Sequence, residues 1–178
     1  MTSEGPARFH VHPSPIGDIL IVTTADGIVT LHPVHGAVDG ELHAIAGLLG
    51  SMPEPGESDA AADAAAQLDE YFDGDRREFD LPLDWRLVRG FTRAALEAVR
   101  GIPYGETAGY GEVAILAGSA RAARAVGTAC ATTPFSIVVP VHRVVRSDGS
   151  LGEYGGRPEV KRYLIDLEQA AAERASDE

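Results

Sequence analysis

A single cysteine, Cys130, stands among the 178 residues of this chain, and that scarcity excludes two chemistries. One thiol cannot close an internal disulfide, and it cannot build a thiolate-rich metal site. Long apolar runs are also missing: no stretch approaches the roughly 18 consecutive apolar residues of a membrane-spanning helix, so no membrane partner is expected. The opening MTSEGPARFHVHPSP lacks an apolar segment behind a basic one, which makes the cytoplasm the expected compartment. Histidine is present, but His10, His12, His32, His35 and His43 fall in strand-like and loop-like segments without ligand-spaced partners. Neither a metal nor a cofactor is expected.

Positive charge is scarce as well, 15 basic against 27 acidic residues, which taken as one number argues against a nucleic-acid partner. Its distribution says otherwise. Residues 1–85 hold 3 basic and 16 acidic residues, and residues 163–178 hold 1 and 5, whereas residues 86–162 hold 11 basic and 6 acidic. The middle segment can face phosphates while the remainder repels them, although arginines that merely decorate an exposed face would give the same count.

What is present reads as two units. The β-branched runs ILIVTT (19–24) and IVTL (28–31), joined through Ala25, Asp26 and Gly27, predict an antiparallel hairpin. A loop follows around MPEPGESD. Helical spacing begins at Asp59, with Ala61, Ala65, Leu68 and Phe72 on one stripe and Gly74 placed to end it. Residues 80–90 read as a linker. Beyond it, TRAALEAVRG and GEVAILAG are short helices, the second closed by Gly118 in a left-handed conformation. Ser119 offers an N-cap for a third helix over residues 120–131 that carries Arg121 and Arg124. Two helices across a tight Gly-Ser turn match a helix-turn-helix, and the small residues of RAARAVG suit either a groove-reading helix or plain close packing. The run FSIVV predicts a strand, Asp148-Gly149 a turn, and Pro158 to about Arg174 a final helix.

Three stretches, IPYGETAGYGEVAILAGSARAARAVGTA, IVVPVHRVVRSDGSLGEYGG and VKRYLIDLE, resemble the O6-alkylguanine-DNA alkyltransferases, and SPIGDILIVTTADGIVTL with AAAQLDEYFDGDRREFDLPLD is similar to that family's first domain. The resemblance implies an α/β ribonuclease-H-like domain over residues 1–85. A mostly α winged-helix DNA-binding domain would follow over residues 86–178 and flip a damaged guanine into a pocket. It implies that His142 is the base beside the nucleophile and Glu168 the carboxylate that orients it. Tyr110, Thr133 and Tyr154 would line the base pocket. Arg124 would fill the gap in the duplex, with Arg121 and Arg143 as further DNA contacts. The implied partner is double-stranded DNA containing O6-alkylguanine, bound by a monomer.

Two positions depart from the family pattern. Val141 stands where the motif PCHRV has its nucleophilic cysteine, and Thr133 where an asparagine is usual. A valine has no lone pair to attack an alkyl carbon. The expectation is therefore a protein that binds the lesion without repairing it, similar to the alkyltransferase-like proteins that pass lesions to nucleotide excision repair proteins. An alkyltransferase inactivated at Val141 by a natural or engineered change is an equal description. A winged-helix regulator reading unmodified DNA is a third. Retention of Tyr110, Arg124, His142, Tyr154 and Glu168 counts against the third; with nothing to activate, His142 and Glu168 also read as hydrogen-bonded core groups, and Cys130 as a small buried thiol.

Overall fold

The computed structural model describes residues 5–152, 154 and 156–177. The chain divides into two compact units, Met1–Leu87 and Val88–Glu178.

The first unit is built on β1 (Arg8–His12), β2 (Ile19–Thr24), β3 (Gly27–Pro33) and β4 (Glu54–Pro55), with α1 (Val38–Leu49) and α2 (Asp59–Phe72). The sheet runs β3-β2-β1-β4, antiparallel except for the β1–β4 pair. The expected hairpin forms between β2 and β3, with Thr24 opposite Gly27 and a register shift at Val22/Thr23. Gly27 is required there: at φ 131° an added Cβ would lie 2.5 Å from the Pro82 carbonyl oxygen.

Five of the six residues of β2 are buried, so both faces of this strand are covered. Leu20 and Val22 pack with Leu42 and Ile45 of α1. The alternate residues face the other way, where Thr23 Oγ1 meets Ser58 Oγ at 2.8 Å and Ser58 caps α2 through the Ala61 amide. The buried stripe of α2 runs through Ala61, Ala64, Ala65, Leu68 and Tyr71. Tyr71 takes the inner place and Phe72 stands edge-on to it at 5.4 Å.

Of residues 80–90, read as a linker, the stretch through Leu87 is bound to β3 instead. The Ile28 amide donates to Pro82, the Asp84 amide to Ile28, and Trp85–Leu87 form a 3-10 turn. Buried Asp84 draws the segment in by accepting from Thr24 Oγ1 and from the Arg86 amide and Nε.

The second unit is mostly helical: α3 (Gly90–Arg100), α4 (Tyr110–Leu116), α5 (Ala123–Ala131) and α6 (Pro158–Ser176), with a short parallel pair, β5 (Ala108–Gly109) and β6 (Val144–Val145). Gly118 ends the α4 segment at φ 96°. The third helix starts three residues later than expected, because Ser119 closes a turn onto the Ala122 amide and does not cap α5.

FSIVV is not a strand. Pro134 and Pro140 bracket it and remove amide donors at both ends. Ile137 lies at φ 70°, the Val138 amide donates to Ser136, and the Val141 amide donates to Val139. Its apolar residues are buried by packing rather than by a ladder. A β-branched residue at positive φ is a true outlier, and the surrounding burial holds it there.

Candidate functional site

The Ile137 turn feeds Pro140 into a 3-10 turn, Val141–Arg143, closed by the Arg143 amide on the Pro140 carbonyl at 2.9 Å. All three of its residues are buried. Opposite it, α6 presents Lys161 and Glu168 from one face, as their seven-residue separation dictates.

His142 is fully buried, and its Nε2–H donates to Glu168 Oε2 at 2.6 Å. Arg143 grips the same carboxylate, Nε to Oε1 at 2.8 Å and Nη2 to Oε2 at 3.2 Å. Its Nη1 reaches the Ile102 carbonyl at 2.7 Å, and the Gly105 amide adds a contact to Oε1 at 3.3 Å. Burial by itself would raise the Glu168 carboxyl. The hydrogen bonds of His142 and Arg143, the charge of Arg143 and, in acid, that of a protonated His142 outweigh it and hold the group at about 2. Burial pushes His142 below its ordinary value against the pull of Glu168. At neutral pH the unit is therefore a neutral imidazole between an ionised Glu168 and the charged Arg143. The tautomer follows from this assignment: Nε2 carries the proton and Nδ1 is left as an acceptor. Nδ1 is buried with no hydrogen-bond partner. A base is thus oriented and desolvated, but the adjacent side chain, Val141, offers it no proton.

Arg143, expected to touch DNA, is committed to Glu168 and Ile102 and is 7% exposed. Its guanidinium also lies 5.5 Å from the centre of the Tyr104 ring. Burial beside a carboxylate that needs a counter-charge explains this placement, and Arg143 acts here by positioning Glu168.

A cavity of about 640 Å³ opens between α5 and the segment after β6, lined in part by Tyr110, Arg124, Gly127, Thr128, Arg146 and Gly152. It brings together Tyr110 and Arg124 from the expected set. A Cβ at Gly127 would stand 3.9 Å from the Tyr110 ring, an ordinary contact, whereas Gly152, at φ 75°, has the Tyr110 hydroxyl only 3.0 Å from where a Cβ would stand. Arg121 is exposed on the turn before α5 and does not line the cavity. Thr133 closes its own turn, its hydroxyl accepting from the Phe135 amide at 3.0 Å and donating to the Phe135 carbonyl at 3.3 Å. The Tyr154 hydroxyl is buried, and burial raises its pKa against the opposing influence of Ser136.

Lys161 and Arg146 escaped the sequence reading. Lys161 is the chain's single lysine, is fully buried, donates to the Val144 carbonyl at 2.6 Å and lies 5.8 Å from the Tyr110 ring centre. Its spacing from Glu168 on α6 was the available signal. Cys130 is half-buried on α5, and burial, countered in part by Lys161, pushes its thiol up to about 12. No cluster of three metal-ligating side chains occurs among the described residues.

Two family models match: "6-O-methylguanine DNA methyltransferase, ribonuclease-like domain" over residues 7–85, and "6-O-methylguanine DNA methyltransferase, DNA binding domain" over residues 90–170. A methylated-DNA–protein-cysteine methyltransferase of Mycobacterium leprae is 38% identical over 156 residues, covering 88% of each chain. One from Mycobacterium tuberculosis is 45% identical over 120 residues, covering 67% of this chain and 70% of that one. The crystal structure of Mycobacterium tuberculosis OGT in complex with DNA is similar at a TM-score of 0.76 and 35% identity, covering 92% of this chain and 94% of that chain. Matched along both of its units, the chain belongs to the methylated-DNA–protein-cysteine methyltransferase family.

Proposed function

We propose that the protein binds O6-alkylguanine in duplex DNA, taking the base out of the stack, and transfers no alkyl group. The observation that carries this reading is the side chain at position 141. A buried valine occupies the turn beside a base, His142, whose free Nδ1 has no thiol to deprotonate. Alkyl transfer in this family requires a thiolate at that point, and Val141 cannot form one. Cys130 is no substitute: it sits on α5, and a thiol pushed up to about 12 supplies almost no thiolate at neutral pH.

In this reading α4 and α5 form the helix-turn-helix of a winged-helix domain, the segment after β6 is the wing, and Arg121 contacts backbone phosphate. Arg124, in the first turn of α5 and on the cavity wall, enters the duplex where the base leaves. Tyr110 and Tyr154 line the pocket for the extruded guanine, with Thr133 bracing its edge. Extrusion costs a few kcal/mol, less at a lesion whose pairing is already damaged, and an inserted side chain offsets part of it. Support comes from the matched DNA-binding domain and from the DNA complex of the similar M. tuberculosis protein. The protein acts as a cytoplasmic monomer and leaves removal of the lesion to excision-repair proteins.

The test compares two duplexes identical except for one O6-methylguanine, the lesion labelled in its methyl group. Expected are tighter binding to the lesion, a loss of most of that preference in Arg124→Ala, affinity that falls as salt rises, and no label on the denatured protein. Label on Cys130 or elsewhere refutes the absence of transfer, and equal affinity for both duplexes favours a regulator of unmodified DNA. One observation favours a closely related reading, an alkyltransferase inactivated at Val141: the His142–Glu168–Arg143 unit is fully assembled although it has nothing to activate.

A further inference from the structure

Three cations converge on the cavity beside α5. Arg124 and Arg146 line it, and Lys161 lies beneath the Tyr110 ring that forms part of its wall. In a chain of formal net charge −12, no carboxylate is found among the described residues lining it. Arg146 is exposed, and no described residue hydrogen-bonds or ion-pairs with its side chain. One carboxylate, Asp148, feels its charge, but Asp148 is fully exposed and already accepts from the Ser150 amide at 2.9 Å and the Ser150 hydroxyl at 2.7 Å.

Arg146 is also held in place. It follows directly on buried β6, its amide donates to the Ser150 carbonyl at 2.9 Å, and its carbonyl accepts from Gly149 at 2.9 Å. The turn fixes the Cα of Arg146 at the cavity edge while leaving the guanidinium free. Burial lowers Lys161 to about 8, the Cys130 thiol opposes this, and the like charge of Arg146 adds a smaller lowering of its own. Like charges gathered without a counter-ion cost free energy until an anion arrives between them.

We propose that Arg146 is a second anion-binding residue of this pocket and takes an anionic oxygen of the extruded nucleotide. The proposal rests on the lesion-binding reading. A guanidinium serves such an oxygen with paired donors. Two sources share that chemistry, the backbone phosphate beside the lesion and a carboxylate carried on the O6 substituent.

Equilibrium binding of the full chain and of Arg146→Gln separates them, using four duplexes: unmodified, O6-methylguanine, O6-methylguanine with a neutral methylphosphonate beside the lesion, and O6-carboxymethylguanine. A charge-assisted hydrogen bond corresponds to about tenfold or more in affinity. If phosphate is the partner, Arg146→Gln and the methylphosphonate each cost about tenfold, and together they cost no more than either alone. If the carboxylate is the partner, the loss in Arg146→Gln is confined to the carboxymethyl duplex. A loss of one constant factor on all four duplexes, or no loss on any, overturns the proposal. When the unaltered chain still prefers the lesion in that case, the lesion-binding reading survives and only the role of Arg146 falls. If the unaltered chain shows no preference, both fall. Arg146 is exposed, so the variant should fold, and its circular dichroism spectrum checks that it does.

Discussion

Replacing Glu168 by glutamine removes the one carboxylate on which His142, Arg143 and the Gly105 amide converge. Glu168 is 1% exposed, so the Arg143 guanidinium would be left as a buried cation without its counter-charge. Breaking a buried pair in this way costs about 3–5 kcal/mol. The same interactions appear in protonation: a carboxyl held at about 2 against an ordinary 4.5 contributes about 3 kcal/mol at neutral pH. Because the folded-state value is depressed, this stability is fully present above pH 4.5 and is lost as pH falls from there towards 2. His142 is depressed too, so its contribution is lost as pH falls through its ordinary 6.5. The assay is urea unfolding of the full chain and of Glu168→Gln between pH 7 and 3, followed by a probe on the second unit. The variant should be less stable by about 3 kcal/mol at pH 7. The gap should narrow steadily below pH 4.5, since the other carboxylates are common to both proteins. A gap that stays constant over this range would refute the assignment of an ionised Glu168 as the keystone of the unit.

Val141→Cys should restore some single-turnover methyl transfer, because cysteine fits the valine space at little cost in folding and His142 Nδ1 is free to take its proton. If this variant and its combination with Thr133→Asn bind the lesion yet stay inactive, the pocket has diverged beyond its nucleophile. Cys130, held up to about 12, should react with iodoacetamide far more slowly at pH 7.5 than a free thiol and should accelerate on unfolding; a fast native reaction would contradict its burial. Gly152→Ala forces an L side chain to φ 75° and against the Tyr110 hydroxyl, so lesion affinity should fall while the urea midpoint drops by the equivalent of about 1–3 kcal/mol; unchanged binding would show that Tyr110 does not depend on this contact.

The hairpin, α2 and the helices of the second unit were legible in the sequence because each rests on a local rule: the Ala25–Gly27 turn, the spacing of Ala61, Ala65, Leu68 and Phe72, the left-handed Gly118. Tyr110, Arg124, His142 and Glu168 stood out one by one from the order of motifs, whereas Lys161 and Arg146 did not. Tertiary structure decided which of them meet and in what protonation state. Nothing in FSIVV separates a strand from the buried turn at Ile137, since both bury the same apolar side chains and differ only in whether a partner ladder exists. Arg143 reads as an exposed cation beside His142 until α6 brings Glu168 within 2.8 Å of it. Lys161 and Arg146, far apart in sequence from Arg124, become one cationic cavity only when α6, the turn after β6 and α5 pack together. By itself the sequence determined that position 141 carries no thiol, because that is a property of one residue. Whether the remaining groups are charged, neutral or partnered depends on burial and on neighbours distant in the chain, and only the fold supplies those.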